Sequence, residues 1–169
     1  MRKFKADLSA SSLTRLAKDF KSYVGTLDYK CDMMVERLIS VGIPVVEANM
    51  QGFDGDSSHA FNYYFEIHRS EGYAYGKFIV ENEDILFIEF GAGIHFNKGE
   101  SHPQAKELGY GVGTYPGQTH AFDDEGWWYW DGIRRHHSFG TQAAMPVYNS
   151  YREMASQVIN IAKEVFGDG

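Results

Sequence analysis

Three features of the 169-residue sequence predict an α+β fold. Apolar residues recur at helical spacing near both ends, and period-two alternation marks two runs between residues 61 and 80. The third is the run ILFIEFGAG (85–93), where large apolar side chains stop at Glu89 and a glycine-broken turn follows. The expected architecture is an antiparallel sheet of about three to five strands. It packs against amino-terminal helices and a long carboxyl-terminal helix.

At the amino end, Ser9, Ser11 or Ser12 supplies a helix cap. Leu13, Leu16, Ala17, Phe20 and Val24 then follow at helical spacing, and Cys31, Met34, Val35, Leu38 and Val41 form a second stripe. These are two consecutive helices or one helix bent at Gly25. Cys31 falls on the side expected to be buried, as a structural thiol. Gly42 and Pro44 are expected to end or kink the pattern, with a short turn over Val45–Asn49. The change to Gly, Asp and Ser between Gln51 and Ser58 predicts a loop, and its FDGDSS spacing lacks the fuller ligand pattern of a calcium loop.

Phe61, Tyr63, Phe65 and Ile67 alternate with Asn62, Tyr64, Glu66 and His68, predicting a half-buried strand. A turn at Ser70-Glu71-Gly72 leads to a second strand over Tyr73–Val80, and Ile85–Phe90 is the expected third strand of a meander. From Gly91 to Gly140 the chain holds ten of the eighteen glycines, five of the seven histidines and all three tryptophans. A connection of that length predicts a functional loop or β-hairpin excursion (91–140) from a single domain spanning 1–169. Within it, Trp127–Trp130 is expected to return to the sheet as a strand. Pro146 suits the first turn of the last helix. Val147, Tyr151, Met154, Ala155, Val158, Ala162, Val165 and Phe166 form its expected covered face, and Gly167 its end.

The formal charge of -7 is unevenly placed. Residues 1–30 carry seven Lys or Arg against three Asp or Glu, and the remainder nine against twenty. Most of the chain is therefore a poor phosphate-backbone ligand, while its start suits a charged contact surface or ordinary helix solvation. A single cysteine excludes an intrachain disulfide and a cysteine-based metal cluster. The opening MRKFKADLS lacks an apolar signal core, and no run approaches the length of a membrane span, so a cytoplasmic site of synthesis is expected.

Catalytic patterns are sparse. His136 and His137 follow Arg134 and Arg135, but adjacent strand residues face opposite sides. A metal site would need a partner such as Asp131, His120 or His95. Glu89 is either a perturbed acid in a pocket or a structural carboxylate that accepts backbone hydrogen bonds or pairs with an arginine. No nucleophile elbow or phosphate loop occurs. The glycines at 109, 111 and 113 lead into Tyr115, Pro116 and Gly117 instead of a helix, which defeats a dinucleotide site. Asp123-Asp124-Glu125 sits beside Gly126 as a solvated acidic loop. The tryptophan block carries the strongest binding signal, because strand alternation puts Trp127 and Tyr129 on one face and Trp128 and Trp130 on the other. One face can serve the core, and the other needs a cover: the loop itself, a sugar or nucleobase, or another protein.

FIEFGAG (87–93), GVGTYPG (111–117), GWWYWDG (126–132) and the GTQAAMPVYNSYREM entry to the last helix (140–154) occur in that order. With the early helical segment they resemble the tail-completion, or head–tail joining, minor structural proteins of siphovirus-type bacteriophages and prophages. The resemblance spans most of the chain. It departs from the commoner pattern where Val147, rather than an aromatic residue, follows Pro146. The resemblance implies an α+β virion protein of the tail or neck, synthesised in the bacterial cytoplasm, without enzymatic activity or cofactor. It implies self-association into a ring, expected as a hexamer. The ring would contact tail-tube and head-side neck proteins, with DNA only passing through and no membrane contact. On the same basis Glu89, Gly91 and Gly93 hold the mouth of the long loop. Tyr115, Pro116, Gly117, Trp127, Trp128 and Trp130 shape its contacts, and Pro146 guides the chain into the final helix. The alternatives are a metal-dependent hydrolase using His120, Asp131, His136 or His137, and a carbohydrate-binding module using the tryptophans.

Overall fold

A computed structural model describes residues 3–51, 61–70, 73–96 and 102–167. The loop expected after Gln51, with its FDGDSS spacing, and the turn at Glu71-Gly72 lie outside the described residues. Helix α1 runs from Ala10 to Met50, followed by β1 (Asn62–Ser70), β2 (Tyr73–Glu81), α2 (Ile85–Phe90) and α3 (Ala105–Leu108). A 3-10 turn at Thr119–Phe122 precedes β3 (Trp127–Trp130), β4 (Arg135–Ser138) and α4 (Pro146–Phe166). The fold is α+β, with two antiparallel sheets of two strands each instead of one larger sheet.

Ser9 caps α1: its Oγ accepts the Ser12 N–H at 3.3 Å, and Ser12 Oγ in turn accepts the Asp7 N–H at 3.1 Å. The helix is a single element of 41 residues, about 60 Å long at 1.5 Å per residue. Of the two readings at Gly25, separate helices are excluded, since one helix runs through it; nor does the helix end at Gly42 or Pro44 or give way to a separate turn over Val45–Asn49. Pro44 is exposed, so the Ser40 carbonyl it cannot bond is near solvent, which lowers the cost of a proline inside a helix. Cys31 is half-buried, not enclosed.

The chain divides into two compact units: residues 1–42, 64–79 and 153–169, and residues 43–63 and 80–152. In the first, Ile39, Ile161 and Val165 are buried. Gly76 of β2 sits so close to α1 that an added Cβ would lie 2.6 Å from Val35 Cγ1. Arg37 pairs with Glu164 at 2.9 Å, Arg69 with Asp32 at 2.8 Å, and Lys30 stands over the Phe166 ring. The second unit is centred on Val46, Met50, Ile88, Phe90, Ala92, Ala105 and Ala121.

The largest correction concerns Ile85–Phe90, which is helical and not a strand, so β1 and β2 stand as a two-stranded ribbon without a third member. Asn82 starts the turn: its Oδ1 accepts the Asp84 N–H at 2.8 Å and its carbonyl accepts the Ile85 N–H at 3.2 Å. Ile88, Glu89 and Phe90 are buried in succession, which a helix enclosed on several sides permits and a one-faced strand does not. Nor does Trp127–Trp130 return to a central sheet. It pairs antiparallel with β4 as a separate hairpin.

The end positions of α4 match the sequence reading, but its covered face is rotated. Of the expected residues Val165 is buried and Met154, Ala162 and Phe166 are half-buried, but Val147, Tyr151, Ala155 and Val158 are exposed, and Pro146, Ser150 and Ile161 are buried instead. Small Ser150 fills a closely approached position that an apolar pattern does not reveal.

Candidate functional site

The second unit is assembled around Phe90–Ile94, just past the run that dominates the sequence. Gly91 ends α2 with its N–H on the Phe87 carbonyl at 2.8 Å. Ala92 and Thr141 exchange backbone hydrogen bonds, each at 2.8 Å. The Gly93 N–H then reaches the Val112 carbonyl at 2.8 Å, and the Ile94 N–H reaches the Ala121 carbonyl at 3.0 Å. Four successive backbone N–H groups thus bind α2, two parts of the long excursion and Thr141 just beyond it. Thr114, fully buried, adds its hydroxyl to the Gly91 carbonyl.

Gly93 and Gly140 stand back to back across the Ala92–Thr141 bridge. Both have positive φ, and a Cβ on Gly140 would lie 2.0 Å from the Ala92 carbonyl oxygen. A Cβ on Gly93 would lie 2.9 Å from the Phe139 oxygen and 3.0 Å from the Trp127 ring. Only glycine permits this approach. Tyr115 packs its ring edge-on to Phe87 at 5.1 Å, while Pro116 and Gly117 lie on the exposed surface of the loop.

Glu89 is a structural carboxylate. Its Oε2 accepts the Val147 N–H at 2.8 Å, and its Oε1 accepts the Tyr148 N–H at 2.9 Å. These are the second and third residues of α4. Met145, in the position before the helix, has no acceptor side chain and holds φ of 54°. Pro146, wholly buried, has no N–H to satisfy. Glu89 therefore supplies from 58 residues away the cap that Ser, Asp or Asn ordinarily supplies locally. Its negative charge also complements the positive end of the helix dipole. Of the readings offered for Glu89, the structural carboxylate accepting backbone hydrogen bonds is the one found, with the donors in α4.

His102 completes this network. The Gln104 N–H donates to Nδ1 at 3.1 Å, so Nε2 carries the hydrogen that it donates to Glu89 Oε1 at 3.1 Å. The buried imidazole lies between the rings of Phe90, at 4.4 Å, and Tyr148, at 5.0 Å. Sequence reasoning missed His102, Thr114 and Met145. One signal existed: AAMP offers no capping acceptor before Pro146, so a carboxylate had to come from elsewhere.

The hairpin β3–β4 projects the aromatic block. Its register pairs Trp127 with Ser138, Trp128 with His137, Tyr129 with His136 and Trp130 with Arg135. Directly paired residues share a face. Trp128, Trp130, Arg135 and His137 thus form one face, and all four are exposed, Trp128 by 66% and Trp130 by 62%. Trp127, His136 and Ser138 on the other face are half-buried.

At the tip, Asp131 Oδ1 accepts the N–H groups of Ile133 and Arg134, each at 2.7 Å. His136 Nε2 meets Asp131 Oδ2 at 2.5 Å and Arg134 Nε at 3.3 Å. One nitrogen cannot donate to the first and accept from the second, and the shorter contact to a carboxylate takes the hydrogen. The Arg134 and Ile133 amides, followed by His136, hold the Asp131 carboxyl well below the usual carboxylate range. His120 pairs separately with Asp123 at 2.9 Å, and His137 faces away from His136. Among the described residues no three His, Cys, Asp or Glu converge to hold a metal ion. His95 packs against Phe96 and Phe139.

No protein-family model, curated protein or solved structure matches the chain.

The site thus consists of a glycine-locked hub that fixes the base of a hairpin and an aromatic face that the hairpin leaves uncovered. That arrangement is suited to holding another surface in a fixed orientation.

Proposed function

We propose that this chain is a structural subunit of a siphovirus-type particle or prophage, acting in tail completion or head–tail joining as a ring subunit. The reading is carried by the exposed Trp128–Trp130 face on a hairpin whose base is anchored in the Ala92–Gly93 hub. Large aromatic side chains have few rotatable bonds and so lose little entropy on contact, and such residues dominate interface energetics. The ordered FIEFGAG, GTYPG and GWWYWD segments support the same reading through their resemblance to tail-completion proteins. The virion partners are the tail tube and head-side neck proteins.

The decisive experiment adds purified protein to tails assembled without it and measures their joining to filled heads. Wild-type protein restores joining, whereas a Trp128→Ala/Trp130→Ala variant with unchanged circular dichroism loses at least tenfold in activity. Failure of the wild-type protein to bind such tails overturns the assignment. A carbohydrate-binding reading draws on the same two-tryptophan face. Saturable quenching of tryptophan fluorescence by an oligosaccharide, absent in the double variant, would favour that reading instead.

A further inference from the structure

The His102 side chain is only 1% exposed, and both of its ring nitrogens are in use. Nε2 donates to Glu89, and Nδ1 accepts the Gln104 N–H. A further proton therefore has a single place to go, Nδ1, and an N–H there cannot accept. On protonation the Gln104 amide would face a second donor across 3.1 Å.

The two bonds of the ring respond in opposite directions. A charged imidazole binds the Glu89 carboxylate more strongly, because that hydrogen bond becomes charge-assisted. Glu89 is itself held by the Val147 and Tyr148 amides, so the charged ring stays on the α4 side. The titratable groups in contact with it are Glu89 of α2 and Tyr148 of α4, with the neutral Phe90 ring beside them. Lys106 and Glu107 of α3 are exposed.

What gives way is the start of α3. Pro103 lies between His102 and Gln104, fixes its own φ and has no N–H to offer in exchange. The helix has four residues, too few to be stable unaided. Its start rests on the His102 ring and on the His102 carbonyl, which accepts the Ala105 N–H at 3.1 Å. Its end rests on Tyr110, whose N–H binds the Ala105 carbonyl at 2.8 Å and whose ring packs on Phe90 at 4.6 Å.

We propose that His102 is a proton-operated latch: protonation at Nδ1 releases the start of α3 from the hub while the Glu89 cap on α4 stays closed. The neutral ring ties this part of the long excursion to α4, and the charged ring unties it. The latch goes beyond the tail-joining reading and stands or falls without it.

The test follows the full chain by NMR from neutral pH down to the onset of acid unfolding, with the His102 Hε1 signal reporting its protonation. As His102 titrates, the Gln104 amide shifts with the same midpoint. Relative to its intrinsic rate it exchanges at least about tenfold faster, the effect of losing one hydrogen bond. The Val147 and Tyr148 amides keep their protection through the same step. His102→Gln offers an acceptor and a donor without titrating, so its Gln104 amide shows no step. Should that variant not fold, the wild-type comparison of Gln104 with Val147 and Tyr148 decides alone. A Gln104 amide indifferent to His102 protonation overturns the latch, as does a step that persists in His102→Gln. Loss of protection at Val147 and Tyr148 in the same step overturns it too, since the event is then general acid unfolding. So does a ring that stays neutral until the whole chain unfolds.

Discussion

Glu89 acts through both carboxylate oxygens, so its two nearest substitutions differ in kind. Glu89→Ala removes the acceptors of two α4 amides and of His102 and leaves these groups buried without partners. A loss of roughly 2–4 kcal/mol is expected in urea unfolding. Glu89→Gln keeps one oxygen but turns an NH2 group toward a donor, at about half that cost. Hydrogen exchange at Val147 and Tyr148 should accelerate in both variants; unchanged protection would rule out the capping role. The Asp131 carboxyl provides a pH test. Its folded value lies below the roughly 3.9 of an unfolded aspartate, so its contribution is complete above that value. The contribution fades only as pH falls through the folded value. NMR signals of the Ile133 and Arg134 amides should therefore show no step at the ordinary aspartate value and move with Asp131 only at lower pH. A midpoint at 3.9 would contradict the hydrogen bonds at the hairpin tip. Asp131 was read only as a candidate metal ligand, although Asp-Gly between alternating residues is a local turn signal that the structure bears out. Glu89 was visible as an anomaly in an apolar run, but its partners lay 58 and 59 residues away.

Elements that looked alike in sequence are separated by what surrounds them. The six residues of α2 are too few for a helical period to show, and their apolar content suits a buried strand equally well. The strands β1 and β2 were legible from their alternation, but the half-buried face it implied was not found: Tyr63, Tyr64 and Phe65 are all exposed. The continuous α1 was not legible, since Gly25 and Pro44 are breakers that a long helix can absorb at exposed positions. Gly140 and Gly109 separate local from tertiary glycine requirements. Both have positive φ, but only at Gly140 would a Cβ strike backbone; nothing lies within 4 Å at Gly109. Gly109→Ala should cost about 1–2 kcal/mol. Gly140→Ala should cost more than about 3 kcal/mol, or prevent the Ala92–Thr141 bridge from forming. Thermal unfolding of the two variants gives the comparison, and equal costs would mean that the bridge yields easily.

At the level of the whole molecule, exposed aromatic area and stability are separable. Trp128 and Trp130 are about two-thirds exposed, so replacing both with alanine should change unfolding free energy by less than about 1 kcal/mol. On the proposed function, the same double variant loses tail joining. A large loss of stability would instead make the tryptophans part of the fold. The acidic balance and the α+β class were readable from composition and periodicity. The division into two compact units was not, because α1, β1, β2 and α4 each contribute residues to both.

The cap on α4 also has a consequence in time. Glu89 leaves the ribosome before the amides it must bind, which follow 58 and 59 residues later. At translation rates of about 5–20 residues per second, the carboxylate waits roughly 3–12 s for its helix. During that interval the long excursion emerges with neither its Thr141 bridge nor the α4 terminus to close it. The tryptophan face therefore acquires its anchored base only once Thr141 and the start of α4 have emerged, and until then the hairpin has no fixed orientation to present.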